Sequence, residues 1–223
     1  YIKVTPITVT VPVLPLLSIS LGFSILIWVI WPILSFQLFY AKATGYIVTP
    51  LSEDFLALKA QEISGSDLSK ASAWFPKQPV QTTDSPVSSY ELSIPKLRIN
   101  RALVKIGTDD LSESIIHYGG TGLPGKYGNA VLFGHSILPQ FYNPQNYLSI
   151  FSLLPQLKEE DDIYVHFDGV DYKYKIISMR VTDPGDVTGL EQRYDGSYIT
   201  LVTCVPPGTY LKRLWVTAKQ TSF

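Results

Sequence analysis

Residues 198–217 read YITLVTCVPPGTYLKRLWVT. Two runs rich in Val, Ile, Leu, Thr and Trp flank a Pro-Pro-Gly turn, the pattern of two strands folded back on each other. The first run stops at Cys204 and the second opens at Arg213. Antiparallel pairing of the two sets the thiol and the guanidinium side by side at the mouth of the hairpin. A cation there favours a thiolate or a developing oxyanion. The alternative reading of Cys204 is a buried free thiol acting as a small hydrophobe. Working outward, similar short runs bounded by Pro, Gly, Asn and Asp recur at 90–94, 102–106, 130–133, 163–167 and 172–178. Strands at this spacing predict a barrel or a sandwich. Short helical pieces are expected at 108–116 and 147–158, where Leu148, Phe151, Leu154 and Leu157 recur at about helical spacing.

The histidines sort by position. His135 ends the run 129–135 (NAVLFGH), so it stands at a strand end as Cys204 does, and Gly134 before it permits close approach of another backbone or a substrate. A His beside a Cys is the usual requirement for thiol nucleophilic catalysis. In the run 163–167 the apolar Ile163, Val165 and Phe167 share one face, which turns His166 outward to solvent. His117 is expected in the last turn of a short helix, favoured there by the helix dipole.

Composition narrows the function classes. The 223 residues carry 18 Lys+Arg against 19 Asp+Glu, with no basic patch to displace counterions from phosphates, so no nucleic-acid partner is expected. The single Cys forms no intrachain disulfide, and the Cys and His positions lack the close paired spacing of a structural zinc site. Residues 159–162 (EEDD) lack the spaced oxygen ligands of a calcium loop and read as a solvated turn. Neither a metal nor a cofactor is expected.

Charge is unevenly placed. Between Lys3 and Lys42 lie 38 consecutive residues without Asp, Glu, Lys, Arg or His, and 14–40 is almost wholly apolar. That length predicts a transmembrane helix, since a span needs roughly 20 apolar residues, with Trp28, Trp31 and Tyr40 toward one interface. Residues 1–42 thus form a membrane anchor in contact with lipid. Residues 43–89 read as a stalk: Ser52 caps a short helix, and 64–89 turns polar and Pro-rich. Trp74 and Phe75 interrupt that linker, and an aromatic pair in a polar segment suits docking on the next domain, either as a lid over a groove or as plain surface packing. Residues 90–223 form the mostly β domain.

At these residues the chain resembles the sortases, membrane-anchored cysteine transpeptidases of bacterial surfaces. The likeness runs from about 90 to 218. It is carried by TLVTC at 200–204 with RLWV at 213–216, by LPGKYGN at 123–129 leading to GH at 134–135, and by IPK at 94–96. The resemblance implies a closed β-barrel of about eight strands with short helices. It implies Cys204 as nucleophile, His135 as general acid and base, Arg213 as stabiliser of substrate and oxyanion, and Thr203 as a substrate-binding residue or part of the oxyanion hole. It further implies surface proteins with an LPXTG-type sorting signal as substrates, held as a thioester and passed to a cell-wall peptide amine or a pilin Lys. The N-terminus is then cytoplasmic and the catalytic domain extracellular, on a single-pass anchor. Ser136 stands where many members have Arg or Thr, and VPPGT at 205–209 replaces a more familiar loop, so the sortase class stays open. A hydrolytic cysteine peptidase and a non-catalytic peptide-binding barrel are the other readings.

Overall fold

The computed structural model describes residues 13–35, 38, 69–75 and 82–222. Eight strands form a closed barrel in the order β1-β2-β3-β4-β7-β8-β6-β5. They are β1 (Ser89–Ile94), β2 (Ile99–Ile106), β3 (Ile115–His117), β4 (Gly128–Phe133), β5 (Asp162–Phe167), β6 (Val170–Thr182), β7 (Ser197–Val205) and β8 (Lys212–Thr221). The apolar runs anticipated seven of them and the resemblance about eight; β3 is the one the runs did not show. Pairing is antiparallel except for β2 with β3 and β4 with β7.

Two devices fix the strands. In β5 and β6 a two-residue loop, Asp168-Gly169, takes positive φ at both positions, the turn whose twist matches the flanking strands. In β4 and β7 every residue is buried, because one face fills the barrel and the other is covered from outside. The interior holds Leu92, Val104, Leu132, Ile163, Leu201 and Val216, among others. A second apolar cluster lies on the outer face of β3, β4, β7 and β8, and residues 71–75 close over it.

The helical expectations fail within the barrel domain. The described residues there include only short 3-10 turns. Residues 115–117 belong to β3, and 147–158 folds as turns ending in a 3-10 segment, Leu154–Gln156. Side chains compete with a helix in that stretch: Asn146 Oδ1 accepts from Leu148 N–H, Ser149 Oγ bridges Asn143, and Pro155 removes a donor.

The N-terminal segment contains α1 (Val13–Ser35). Its described apolar side chains stand exposed, for example Phe23 and Trp31. Across the described residues no helix is long and apolar enough to cross a membrane; the unbroken part of α1 with described side chains, 17–31, is shorter than a span. The Ser52 helix lies outside the described residues.

Candidate active site

The barrel register brings the two strand ends together. β4 and β7 are parallel neighbours, so their C-terminal ends fall at the same rim of the barrel, and Phe133 pairs with Val202 at the last step of the ladder. His135 and Cys204 each stand two residues further on. Cys204 pairs with Arg213 across β7 and β8. Because Val202 offers its carbonyl to β4, and Cys204 has the same parity, Cys204 and Arg213 form the closer, non-hydrogen-bonded kind of antiparallel pair.

Local packing fixes His135. Gly134 N–H donates to Val202 O at 3.2 Å, and the His135 carbonyl accepts from Phe151 N–H at 3.0 Å. A Cβ at Gly134 would meet the Phe151 ring at 2.5 Å, so glycine is required for this close approach.

Arg213 is buried. Its Nη1 donates to Tyr210 O at 3.3 Å and Lys212 O at 3.4 Å, while its Nε has no acceptor among the described residues. The guanidinium carbon lies 4.9 Å from the centre of the Trp74 ring, a cation–π arrangement.

Trp74 ties the site together. Its ring stacks on Phe133 with centroids 5.5 Å apart and lies 6.1 Å from His135. Phe75 packs against Phe133, Tyr118 and Trp215. Both aromatics are almost fully buried, and with Ala71 they pack in one apolar cluster that includes the buried Cys204. The pair sits as a lid, in the geometric sense, on the rim that holds Cys204 and His135.

The lid is latched at one loop. Asp109 Oδ1 accepts from Ser72 N–H at 2.6 Å, its Oδ2 accepts from the Ser72 hydroxyl, and its carbonyl accepts from Ala71 N–H at 2.9 Å. Leu111 N–H donates to Ser69 O at 2.9 Å. Cover and guanidinium act oppositely on the thiol: burial pushes the Cys204 pKa up, and the Arg213 charge pulls it partly back.

The remaining predicted residues fall elsewhere. Thr203 alternates away from Cys204 into the barrel, and its hydroxyl donates to Gly134 O at 2.8 Å. His166 faces solvent as expected, 2.7 Å from Asp171. His117 is not at a helix end: it lies buried in β3, with Nδ1 2.8 Å from Tyr90 OH and Nε2 3.2 Å from Thr121 Oγ1. Burial depresses its pKa to about 4, so the ring is neutral at pH 7. The acidic turn at 159–162 is tied by Lys96 to Asp161 and Lys173 to Asp162. Among the described residues no group of three or more His, Cys, Asp or Glu is placed to hold a metal. Sequence reasoning passed over Asp109, whose contacts depend on non-local packing, and marked Ser136 only as a departure from the family's motif beside His135, not for its bond to Cys204 O.

Fold and site together define a β-barrel enzyme of the cysteine transpeptidase class. The chain belongs to the sortase family, whose domain matches residues 92–221. Among solved structures it is similar to a Clostridium perfringens sortase D5 transpeptidase, at 26% identity and TM-score 0.52, covering 62% of this chain and 82% of that one. It is also similar to sortase A from Corynebacterium diphtheriae, at 30% identity and TM-score 0.53, covering 63% of each chain, which is under two thirds of that protein's length. Sortase C-1 from Actinomyces oris matches at 25% identity and TM-score 0.55, over 77% of this chain and all of that one. None of the curated proteins compared matches the chain.

Proposed function

We propose that the protein cleaves an LPXTG-type sorting signal and transfers the surface protein to an amine, with Cys204 as nucleophile. The observation that carries this reading is the meeting of two parallel strand ends, His135 after β4 and Cys204 on β7, with Arg213 paired across from the thiol. The Cys204 thiolate attacks the threonine carbonyl carbon of the signal. Arg213 stabilises the oxyanion through the free Nε. The C–N bond to glycine then breaks, His135 delivers the proton to the departing amine, and a thioester remains. A cell-wall peptide amine or a pilin Lys attacks that thioester, and the thiol is released. The closed lid keeps the thiol covered and protonated, so lid opening precedes acylation.

A membrane anchor belongs to the same reading. α1 is 23 residues long, and its described apolar side chains are exposed all round, a surface suited to lipid rather than water. Its serines satisfy themselves within the helix, Ser20 Oγ on Leu17 O and Ser24 Oγ on Ser20 O. The helix crosses the cell membrane once, with the N-terminus in the cytoplasm and the barrel outside, where the exported substrates are.

Incubating the full chain with an LPXTG-type peptide and a small amine, then reading masses, tests the reaction. The expected products are an acyl adduct on Cys204 and an amine-exchanged peptide. Free acid alone would turn the reading to a hydrolytic peptidase. No adduct and no exchange across a panel of signals would leave a peptide-binding barrel.

A further inference from the structure

The rim of the barrel contains a pair of hydroxyl contacts that the chemistry above does not use. The backbone ladder between β4 and β7 ends at Gly134 N–H to Val202 O. Beyond it no ladder pair joins the two strands, and the His135 carbonyl is taken by Phe151 N–H. Two buried carbonyls flank the parting, those of Gly134 and Cys204. Each is taken by a side chain from the opposite strand end. Thr203 Oγ1 donates to Gly134 O at 2.8 Å, and Ser136 Oγ donates to Cys204 O at 2.7 Å. Both hydroxyl residues are buried. The contacts run in opposite directions, one from the Cys strand to the residue before His135, the other from the residue after His135 to Cys204 itself.

We propose that Ser136, with Thr203, is a positioning residue whose hydroxyl brace sets the separation and orientation of His135 and Cys204. This rests on the transpeptidase reading above. The brace replaces ladder bonds that parallel strands lose as they diverge. It holds the Cys204 peptide by its carbonyl, in the plane of the sheet, and takes no bond to the thiol, which stands off the sheet face. Thr203 contributes to the brace from inside the barrel, through the carbonyl that precedes His135. Ser136 contributes through its oxygen, so a residue with a hydroxyl on Cβ replaces it and an isosteric apolar one does not.

The test uses the full chain in mild detergent, with Ser136→Ala, Thr203→Val and the conservative Ser136→Thr. The first two are expected to lower kcat at least about tenfold with KM within about twofold, the signature of a misplaced reacting group. Alkylation of Cys204 by iodoacetamide, which needs no turnover, is expected to shift its pH–rate profile to higher pH in both. Ser136→Thr is expected to restore kcat and profile together. Wild-type kinetics and profile in Ser136→Ala, with wild-type protein turning over, would overturn the brace while leaving the reaction intact. Wild-type protein without turnover would overturn the reaction, and the alkylation profiles would still decide the brace. If neither Ser136→Ala nor Thr203→Val folds, the hydroxyls are structural and the positioning role is overturned.

Discussion

The barrel rim and the lid that covers it are held by different means. At the rim, His135 and Cys204 leave adjacent strands whose ladder runs unbroken from Gly128 paired with Ser197 to Phe133 paired with Val202, so their placement is distributed over the whole sheet. The lid, residues 69–75, is held by two aromatic rings and one acidic loop. A fully buried large apolar side chain contributes roughly 1.5–3 kcal/mol. Two such side chains and a latch hold the cover by fewer contacts than the ladder that holds the rim. The contrast is between a cover held by a few local contacts and the strand ladder it rests on.

Acid tests the rigid element with the largest effect. The His117 pKa is lowered from 6.5 to about 4 by burial, so the unfolded chain binds a proton that the folded one refuses. Stability contributed by the neutral ring is complete above pH 6.5 and is lost as pH falls toward 4. The loss is about 2 kcal/mol at pH 5 and about 3 kcal/mol once fully developed. Urea midpoints at pH 7 and pH 5 measure it, and His117→Gln should lose most of the difference. An equal loss in that variant would assign the acid sensitivity to other groups.

Gly134→Ala overpacks the rim against the Phe151 ring and is expected to cost about 1–3 kcal/mol, read as a lower thermal midpoint with a matching fall in activity. Trp74→Ala should act first on access: iodoacetamide labelling of Cys204 rises about tenfold, with a thermal midpoint no lower than in Gly134→Ala. A midpoint that falls in step with labelling would make the lid part of the barrel's cooperative unit. The smallest effect belongs to Asp109→Asn, which weakens the latch without removing an aromatic ring and should raise labelling about threefold. Unchanged labelling there would place the hold on the rings alone.

What could be read from the sequence follows the same division. The hairpin carrying Cys204 and Arg213 was legible because strand, turn and strand are local, and period-two alternation survives in a one-dimensional pattern. β3 was not, because it is three residues long and its parallel partner β2 is supplied by the fold. His117 was misplaced for the same reason: its partners Tyr90 and Thr121 are set by tertiary packing, and nothing in IIHYGG distinguishes a strand end from a helix end. In 147–158 the leucine spacing suggested a helix, but Asn146, Ser149 and Pro155 diverted the backbone into turns. The meeting of His135 with Cys204 depends on β4 and β7 being neighbours although β5 and β6 intervene in the chain. The aromatic pair of the lid was visible as an anomaly in a polar linker; its target was not.

The position of β8 bears on how the protein comes into being. β8 is the last strand in chain order, yet it sits between β7 and β6 and pairs with both along its length. A chain cut before Lys212 leaves those two strands with facing unpaired edges and the thiol without its guanidinium. Cys204 precedes Arg213 in the chain, so adding β8 both closes the sheet and sets the guanidinium beside the thiol. A partly made chain carries the thiol without the strand that sets a guanidinium beside it.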